Sequence, residues 1–75
     1  MLVTIYVYLL DEGVDVWRPV RAEQLPDELY RILGTVPEDE RWEFALGEIV
    51  RCRKQTLLEG TSPGECLVAY ERVAY

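Results

Sequence analysis

The clearest strand pattern in the sequence is IVRCRKQTL, residues 49–57, and the fold class depends most on it. Val50 and Cys52 alternate in it with Arg51 and Arg53. A period of two residues is typical of a strand that buries one face and exposes the other to water. This stretch therefore predicts a strand.

A turn and a second strand follow this stretch. Residues 60–64, GTSPG, combine glycine, proline and serine, the residue types that most often interrupt regular structure. Residues 65–73, ECLVAYERV, then have the apolar and aromatic content of a strand. The segment from residue 48 to residue 73 therefore predicts a strand, a turn and a strand.

The middle of the chain also fits a helical pattern. The segment 25–34 has four apolar residues at helical spacing, Leu25, Leu29, Ile32 and Leu33. The segment 37–54 places four more on one helical stripe, Trp42, Leu46, Ile49 and Val50. Against the second helix stands Gly47, which costs about 1 kcal/mol relative to alanine inside a helix. Periodicity alone thus leaves an α+β alternative, an N-terminal hairpin followed by two helices and a C-terminal strand.

The N-terminal segment predicts a β-hairpin. Residues 2–10, LVTIYVYLL, are mostly β-branched and aromatic, which favours a pleated surface. DEG at residues 11–13 predicts a tight turn in which Gly13 takes a positive φ. The return strand is expected to begin at Val14.

The return strand contains an arginine and a proline that do not suit a regular strand. Unbroken alternation from Val14 would place Arg18 in the core, where an unpaired charge is very costly. Pro19 cannot donate to a sheet ladder. We therefore expect a β-bulge at Arg18-Pro19, with Trp17 and Val20 both turned inward and Arg18 in water.

Five segments of the chain resemble a group of small uncharacterised bacterial proteins. They are EGVDVWRPVRAE (12–23), LYRILG (29–34), DERWEF (39–44), LGEIVRCR (46–53) and LVAYERV (67–73). The pattern of the group is EGxxVWRPVxA, then YRI, then WEFxPGxxVxC. This chain departs from it with Leu46 where the pattern has proline, and with Pro26-Asp27-Glu28 where glycine is usual.

The resemblance implies strands throughout and resolves the ambiguity in the middle of the chain. The implied strands are 2–10, 14–24, 29–34, 41–57 with a turn near Leu46-Gly47, and 65–73. Five short strands favour an all-β fold, a small five-stranded antiparallel SH3-like barrel formed by residues 1–75 as a single domain. A fold of this kind does not by itself imply a function.

Composition argues against several classes of function. The chain has no histidine, the commonest general base at neutral pH, and a net charge of −6. It has no glycine-rich phosphate loop, and the consecutive acids Glu38-Asp39-Glu40 lack the spacing of a cation-binding loop. We therefore expect no enzyme, cofactor or metal site. The longest apolar run is too short to span a bilayer, and we expect a cytoplasmic protein without a membrane partner.

The aromatic residues are the feature that points to a function. Tryptophan, tyrosine and arginine dominate the hot spots of protein interfaces. The candidate residues for contact with a partner are Trp17, Arg18, Tyr30 and Trp42. We expect a non-enzymatic interaction module for a protein partner or for a second copy, the latter through the alternating tyrosines of the first strand. The alternative is a nucleic-acid-binding or translation-associated barrel that uses Arg51, Arg53 and Lys54, and the acidic net charge argues against it.

The two cysteines give a test of the predicted register. Cys52 and Cys66 lie symmetrically about Glu59, so a turn centred there would place them opposite each other on neighbouring strands. We expect them to be neighbours with reduced thiols, because disulfides are rare in cytosolic proteins.

Overall fold

The computed structural model describes residues 1–59 and 62–73, and side chains throughout these except at 57–59 and 62–64. The strands are β1 (Leu2–Tyr8), β2 (Trp17–Leu25), β3 (Leu29–Ile32), β4 (Ile49–Glu59) and β5 (Ser62–Arg72). A single 3-10 turn, Pro26–Glu28, joins β2 to β3. The strands close into a barrel in chain order. The predicted all-β, SH3-like barrel is confirmed, and the two-helix alternative is wrong.

The barrel is antiparallel except at its closure. Each strand pairs antiparallel with the next along the chain, from β1 to β5. β1 and β5 then meet in parallel, with Tyr6 opposite Val68. This parallel closure follows from the odd number of strands, because five strands that each reverse the direction of the one before leave the first and the last parallel.

The core follows the alternation of the strands. The largest completely buried side chains are Ile5 and Val7 from β1, Ile32 from β3 and Val50 from β4. The core cluster is completed by Val20, Ala22, Tyr30, Phe44 and Ala69. Burying such apolar side chains stabilises a domain by about 1.5–3 kcal/mol each for the larger ones.

β2 runs through Arg18-Pro19 without interruption, so the predicted bulge is wrong. The register with β1 is continuous from Glu23 to Trp17. The N–H of Gln24 donates to the Met1 carbonyl at 2.8 Å. Counting from this bonded pair, Tyr6 and Pro19 form a pair without hydrogen bonds. The nitrogen of Pro19 therefore points away from β1, beyond the end of β3, and no ladder bond is lost.

The alternation of β2 also decides where its side chains point. Arg18 shares a face with the buried Val20, yet it is exposed because it lies at the end of the barrel. Trp17 lies on the outer face instead, so its predicted inward orientation is wrong. The exposure of Arg18 is as predicted, but the end of the barrel provides it rather than a bulge. The β-bulge of this fold lies between β4 and β5, at Arg51/Cys52.

The first connection is longer than a tight hairpin. β1 ends at Tyr8 and β2 begins at Trp17, so the expected return strand from Val14 is wrong. The positive φ lies at Asp11, at 61°, and not at Gly13. Aspartate tolerates this conformation better than most residues, which makes the turn possible without glycine there.

The strand predicted over residues 41–57 begins only at Ile49, and an irregular segment between β3 and β4 takes the place of its first part. Residues 41–48 form no continuous strand, and Trp42 makes an isolated bridge to Leu9. The turn predicted near Leu46-Gly47 is present, with Gly47 at φ 88°. The N–H of Gly47 donates to the Ile32 carbonyl at 2.8 Å, which fastens this segment to the end of β3.

Gly47 and Gly13 form a matched pair for a stability test. An added Cβ would meet nothing within 4 Å at either position, but only Gly47 has a positive φ. We expect Gly47→Ala to cost about 1–2 kcal/mol, the penalty of the left-handed conformation. Gly13→Ala should be neutral or slightly stabilising. Urea unfolding of both variants measures this, and equal effects would contradict the assignment of the turn.

The cysteines are on neighbouring strands but not opposite each other. Cys52 pairs with Ala69, and Cys66 pairs with Gln55. The hairpin is centred between Glu59 and Ser62 rather than on Glu59, so the predicted register is wrong. Cys52 and Cys66 form no disulfide in the described part of the chain, and burial raises the pKa of Cys52 to about 12.

Candidate interaction surface

Aromatic and proline side chains meet on the outer face of β1 and β2. Tyr6 lies opposite Pro19, and Tyr8 lies opposite Trp17. Both are pairs without backbone hydrogen bonds, in which cross-strand side chains approach most closely. We call these four residues the aromatic face.

Two contacts hold the rings of Tyr8 and Trp17 in place. Their centroids are 5.4 Å apart with an interplanar angle of 64°, an edge-to-face arrangement. The Tyr8 hydroxyl donates to Asp15 Oδ1 at 2.8 Å, and this bond raises the pKa of Tyr8. Both rings are half-buried. The pair is therefore pre-oriented before any partner arrives, which lowers the entropy lost on binding.

Arg18 and Trp42 meet at one end of the barrel through a shared carboxylate. The guanidinium of Arg18 pairs with both oxygens of Glu40, with Nε at 3.2 Å from Oε1. The indole N–H of Trp42 donates to Glu40 Oε1 at 2.9 Å. These two donors hold the pKa of Glu40 below its ordinary value. Glu40 thus joins the segment after β3 to β2.

The Trp42 ring packs inward rather than presenting a face to solvent. A Cβ at Gly34 would lie 3.3 Å from the ring, and the ring packs against the core cluster. Trp42 is half-buried, and no tyrosine ring stacks on it among the described residues. Its main role in this arrangement is to close the end of the barrel.

The four predicted contact residues therefore do not form one site. Arg18 and Trp42 come together through Glu40, and Trp17 belongs to the aromatic face on the other side of β2. Tyr30 is only 7% exposed and lies in the core, where burial raises its pKa. As a contact residue Tyr30 is thus corrected to a core residue.

Sequence reasoning missed two members of this region. Pro19 was expected at a β-bulge, and it lies instead on the outer face opposite Tyr6. Glu40 was considered only as part of a run of acids without cation-binding spacing, and it is the acceptor of two side chains. The signal for Pro19 was its two-residue spacing from Trp17, whereas nothing in the sequence pairs Glu40 with Arg18.

The basic residues of β4 already have partners on β5. Arg51 Nε lies 3.0 Å from Glu71, and Lys54 Nζ lies 3.8 Å from Glu65. The guanidinium of Arg53 lies over the ring of Tyr70, 5.2 Å from its centroid. Exposed ion pairs of this kind contribute about 0–1 kcal/mol each to stability. Their main effect is therefore to neutralise part of the positive charge of β4.

An open groove lies on the outer face where β2, β3 and β4 adjoin. Its volume is about 390 Å³, and its lining residues are Leu25, Pro26, Asp27, Leu29, Arg31 and Ile49. Within residues 1–59 and 62–73, no group of three or more histidine, cysteine or acidic side chains is placed to hold a metal ion. In the same residues, no helix has the length and apolar character needed to cross a membrane.

Comparison with protein-family models, with curated proteins and with solved structures gives no match.

Proposed function

We propose that this protein is a non-enzymatic interaction module of the bacterial cytoplasm that binds a protein partner through the aromatic face. The observation that supports this most directly is the Tyr8–Trp17 pair, held edge to face on the outside of the barrel beside Pro19. The side chains of Tyr8 and Trp17 are half-buried on the outer face and do not belong to the core. Asp15 accepts a hydrogen bond from the Tyr8 hydroxyl and so holds its ring in place.

The composition of the aromatic face suits an extended peptide. Rigid aromatic side chains offer a large contact area at a small loss of conformational entropy, and proline-containing peptides dock on such surfaces. The barrel itself supplies the rigidity, because β1 and β2 are paired over their whole facing length. A second copy of the chain could occupy the same surface, since the face is apolar and self-complementary association is common.

The alternative function is binding of nucleic acid through Arg51, Arg53 and Lys54. Affinity for nucleic acid grows with the number of phosphates neutralised. Two of these three cations are paired with glutamates, and the third lies over Tyr70. Three cations on one strand, each already beside a side chain of β5, are too few for the many phosphate contacts of nucleic acid, and the protein-binding proposal is favoured.

The test compares three baits in the source cells: the unaltered protein, Trp17→Ala and Leu46→Ala. Leu46 is a large exposed apolar residue outside the aromatic face, which makes it the matched control. We expect partners of the unaltered protein to be retained by Leu46→Ala and lost by Trp17→Ala. For an isolated partner, the loss of a hot-spot anchor of 2 kcal/mol corresponds to an affinity about 30-fold weaker.

Sedimentation equilibrium of the same three proteins tests self-association. If the partner is a second copy, dimerisation should weaken in Trp17→Ala alone. Partners that bind all three baits equally would refute the role of the aromatic face. Enrichment of RNA or ribosomes by all three baits would instead support the alternative function. Circular dichroism should show an unchanged fold, because Trp17 lies outside the core cluster.

A further inference from the structure

The edge of β4 that faces β3 is only partly covered. β4 runs from Ile49 to Glu59, but β3 pairs with it only between Ile49 and Arg51. Within the part of the chain that the structure describes, no strand pairs with this side of β4 beyond Arg51. An uncovered strand edge offers N–H and C=O groups to which another chain can add.

The ladder shows which backbone groups lie on this edge. The N–H of Ile32 donates to the Glu48 carbonyl at 2.9 Å, so the backbone carbonyl of Glu48 points toward β3. The backbone N–H and C=O groups of a strand point to alternate sides from one residue to the next. Those of Cys52, Lys54 and Thr56 therefore point to the same side as the Glu48 carbonyl, beyond the end of β3. The β-bulge adds its extra residue to β5, so the alternation of β4 continues through it. We call the backbone groups of these three residues the open edge.

The charges of the hairpin are divided between its two strands. Arg51, Arg53 and Lys54 lie on β4, whereas the acids that pair with them, Glu65 and Glu71, lie on β5. Three of the eight basic residues of this acidic chain therefore lie on the strand with the open edge. A strand added there would lie directly beside β4 and its cations, with β5 and its glutamates one strand further away.

This charge distribution selects the occupant. A second copy paired antiparallel through the same edge would place Arg53 and Lys54 next to the cations of the other β4, and like charges opposite each other are destabilising. Acidic side chains would be favoured instead. Arg53 and Lys54 point to opposite faces of the strand, so two consecutive acids on an added strand could reach both.

We propose that the open edge binds an extended acidic peptide segment as an added strand of the sheet. The main-chain ladder supplies the affinity, and the contact of acids with Arg53 and Lys54 supplies the selection. This surface is separate from the aromatic face, which lies on β1 and β2. The protein would then have two binding surfaces, one apolar and one for acidic strands.

The probe for this proposal is a fluorescein-labelled peptide, Thr-Val-Thr-Glu-Glu-Thr-Val-Thr, titrated with the protein by anisotropy. The same peptide with lysines in place of its glutamates is the charge control. We expect the acidic peptide to bind at least about tenfold more tightly, which is 1.4 kcal/mol.

Two substitutions separate the ladder from the charge. Thr56→Pro removes an N–H from the open edge and leaves every cation in place, and we expect binding about five- to tenfold weaker. Thr56→Val keeps the N–H and should bind as the unaltered protein does. Lys54→Glu reverses a charge without changing the backbone, and it should weaken the binding of the acidic peptide by a similar factor. Lys54→Glu decides the question if Thr56→Pro does not fold.

Several results would overturn the proposal. They are no binding of the acidic peptide, equal binding of both peptides, or normal binding by both Thr56→Pro and Lys54→Glu. Displacement of the peptide by an oligouridylate that binds more tightly would assign the cations to nucleic acid. Loss of binding in Trp17→Ala alone would place the peptide on the aromatic face, which would refute the open edge and leave the proposed function standing.

Discussion

Phe44→Ala is expected to destabilise the protein by about 3–5 kcal/mol. Phe44 is 4% exposed and belongs to the core cluster, although it lies in the irregular segment between β3 and β4. A chain of this length has a free energy of unfolding of about 4–11 kcal/mol at typical values per residue. The variant should therefore be marginally folded or unfolded at 37 °C, as measured by urea titration followed by circular dichroism.

Leu46→Ala is the control for this prediction. Leu46 is 54% exposed, and we expect its truncation to change the free energy of unfolding by no more than about 0.5 kcal/mol. The two-helix alternative makes the reverse prediction, because it places Leu46 on the buried stripe and leaves Phe44 off it. A larger effect at Leu46 than at Phe44 would therefore refute the barrel.

Ile32→Ala should have the second large effect, a loss of about 2–5 kcal/mol. Ile32 is completely buried at the end of β3, where its truncation leaves a cavity that the surrounding strands cannot close. Its neighbour Leu33 is 39% exposed, so Leu33→Ala should cost much less. The shift of each variant's urea midpoint from that of the unaltered protein measures the two losses of stability.

This second pair also separates strand from helix. A helix over residues 25–34 would bury Ile32 and Leu33 together on one stripe, whereas a strand turns them to opposite faces. Similar losses at both positions would contradict β3. A loss confined to Ile32, together with a loss confined to Phe44, would support the closed barrel from two independent segments.

The two proposed surfaces would bind their partners through different interactions. The aromatic face offers apolar area with fixed rings, and the open edge offers backbone hydrogen bonds beside cations. The ion pair of Arg18 with Glu40 and the bond from Trp42 belong to neither surface. They tie the segment after β3 to β2, so that Phe44 reaches the core and the barrel end is covered.

Local patterns in the sequence are enough to predict part of the fold, whereas for the segments 25–34 and 37–54 they fit helices as well as strands. Alternation in the segment 49–57 and the turn-forming residues after it predicted the hairpin of β4 and β5, because a strand with one buried face must repeat every two residues. The turn near Leu46-Gly47 was implied by the resemblance, and its physical reason is the φ of 88° at Gly47, because glycine is the residue best suited to a positive φ.

The positions of Arg18 and Pro19, in contrast, depend on contacts between distant segments of the chain. Local alternation treats every strand residue as though it had neighbours on both sides, and so it predicted a bulge at this pair. In the barrel, β3 ends before reaching Pro19, and Arg18 lies at the end of the barrel, where it reaches water and pairs with Glu40. Strand ends and ion pairs between distant segments depend on where other strands stop, and no local pattern of residues contains that information.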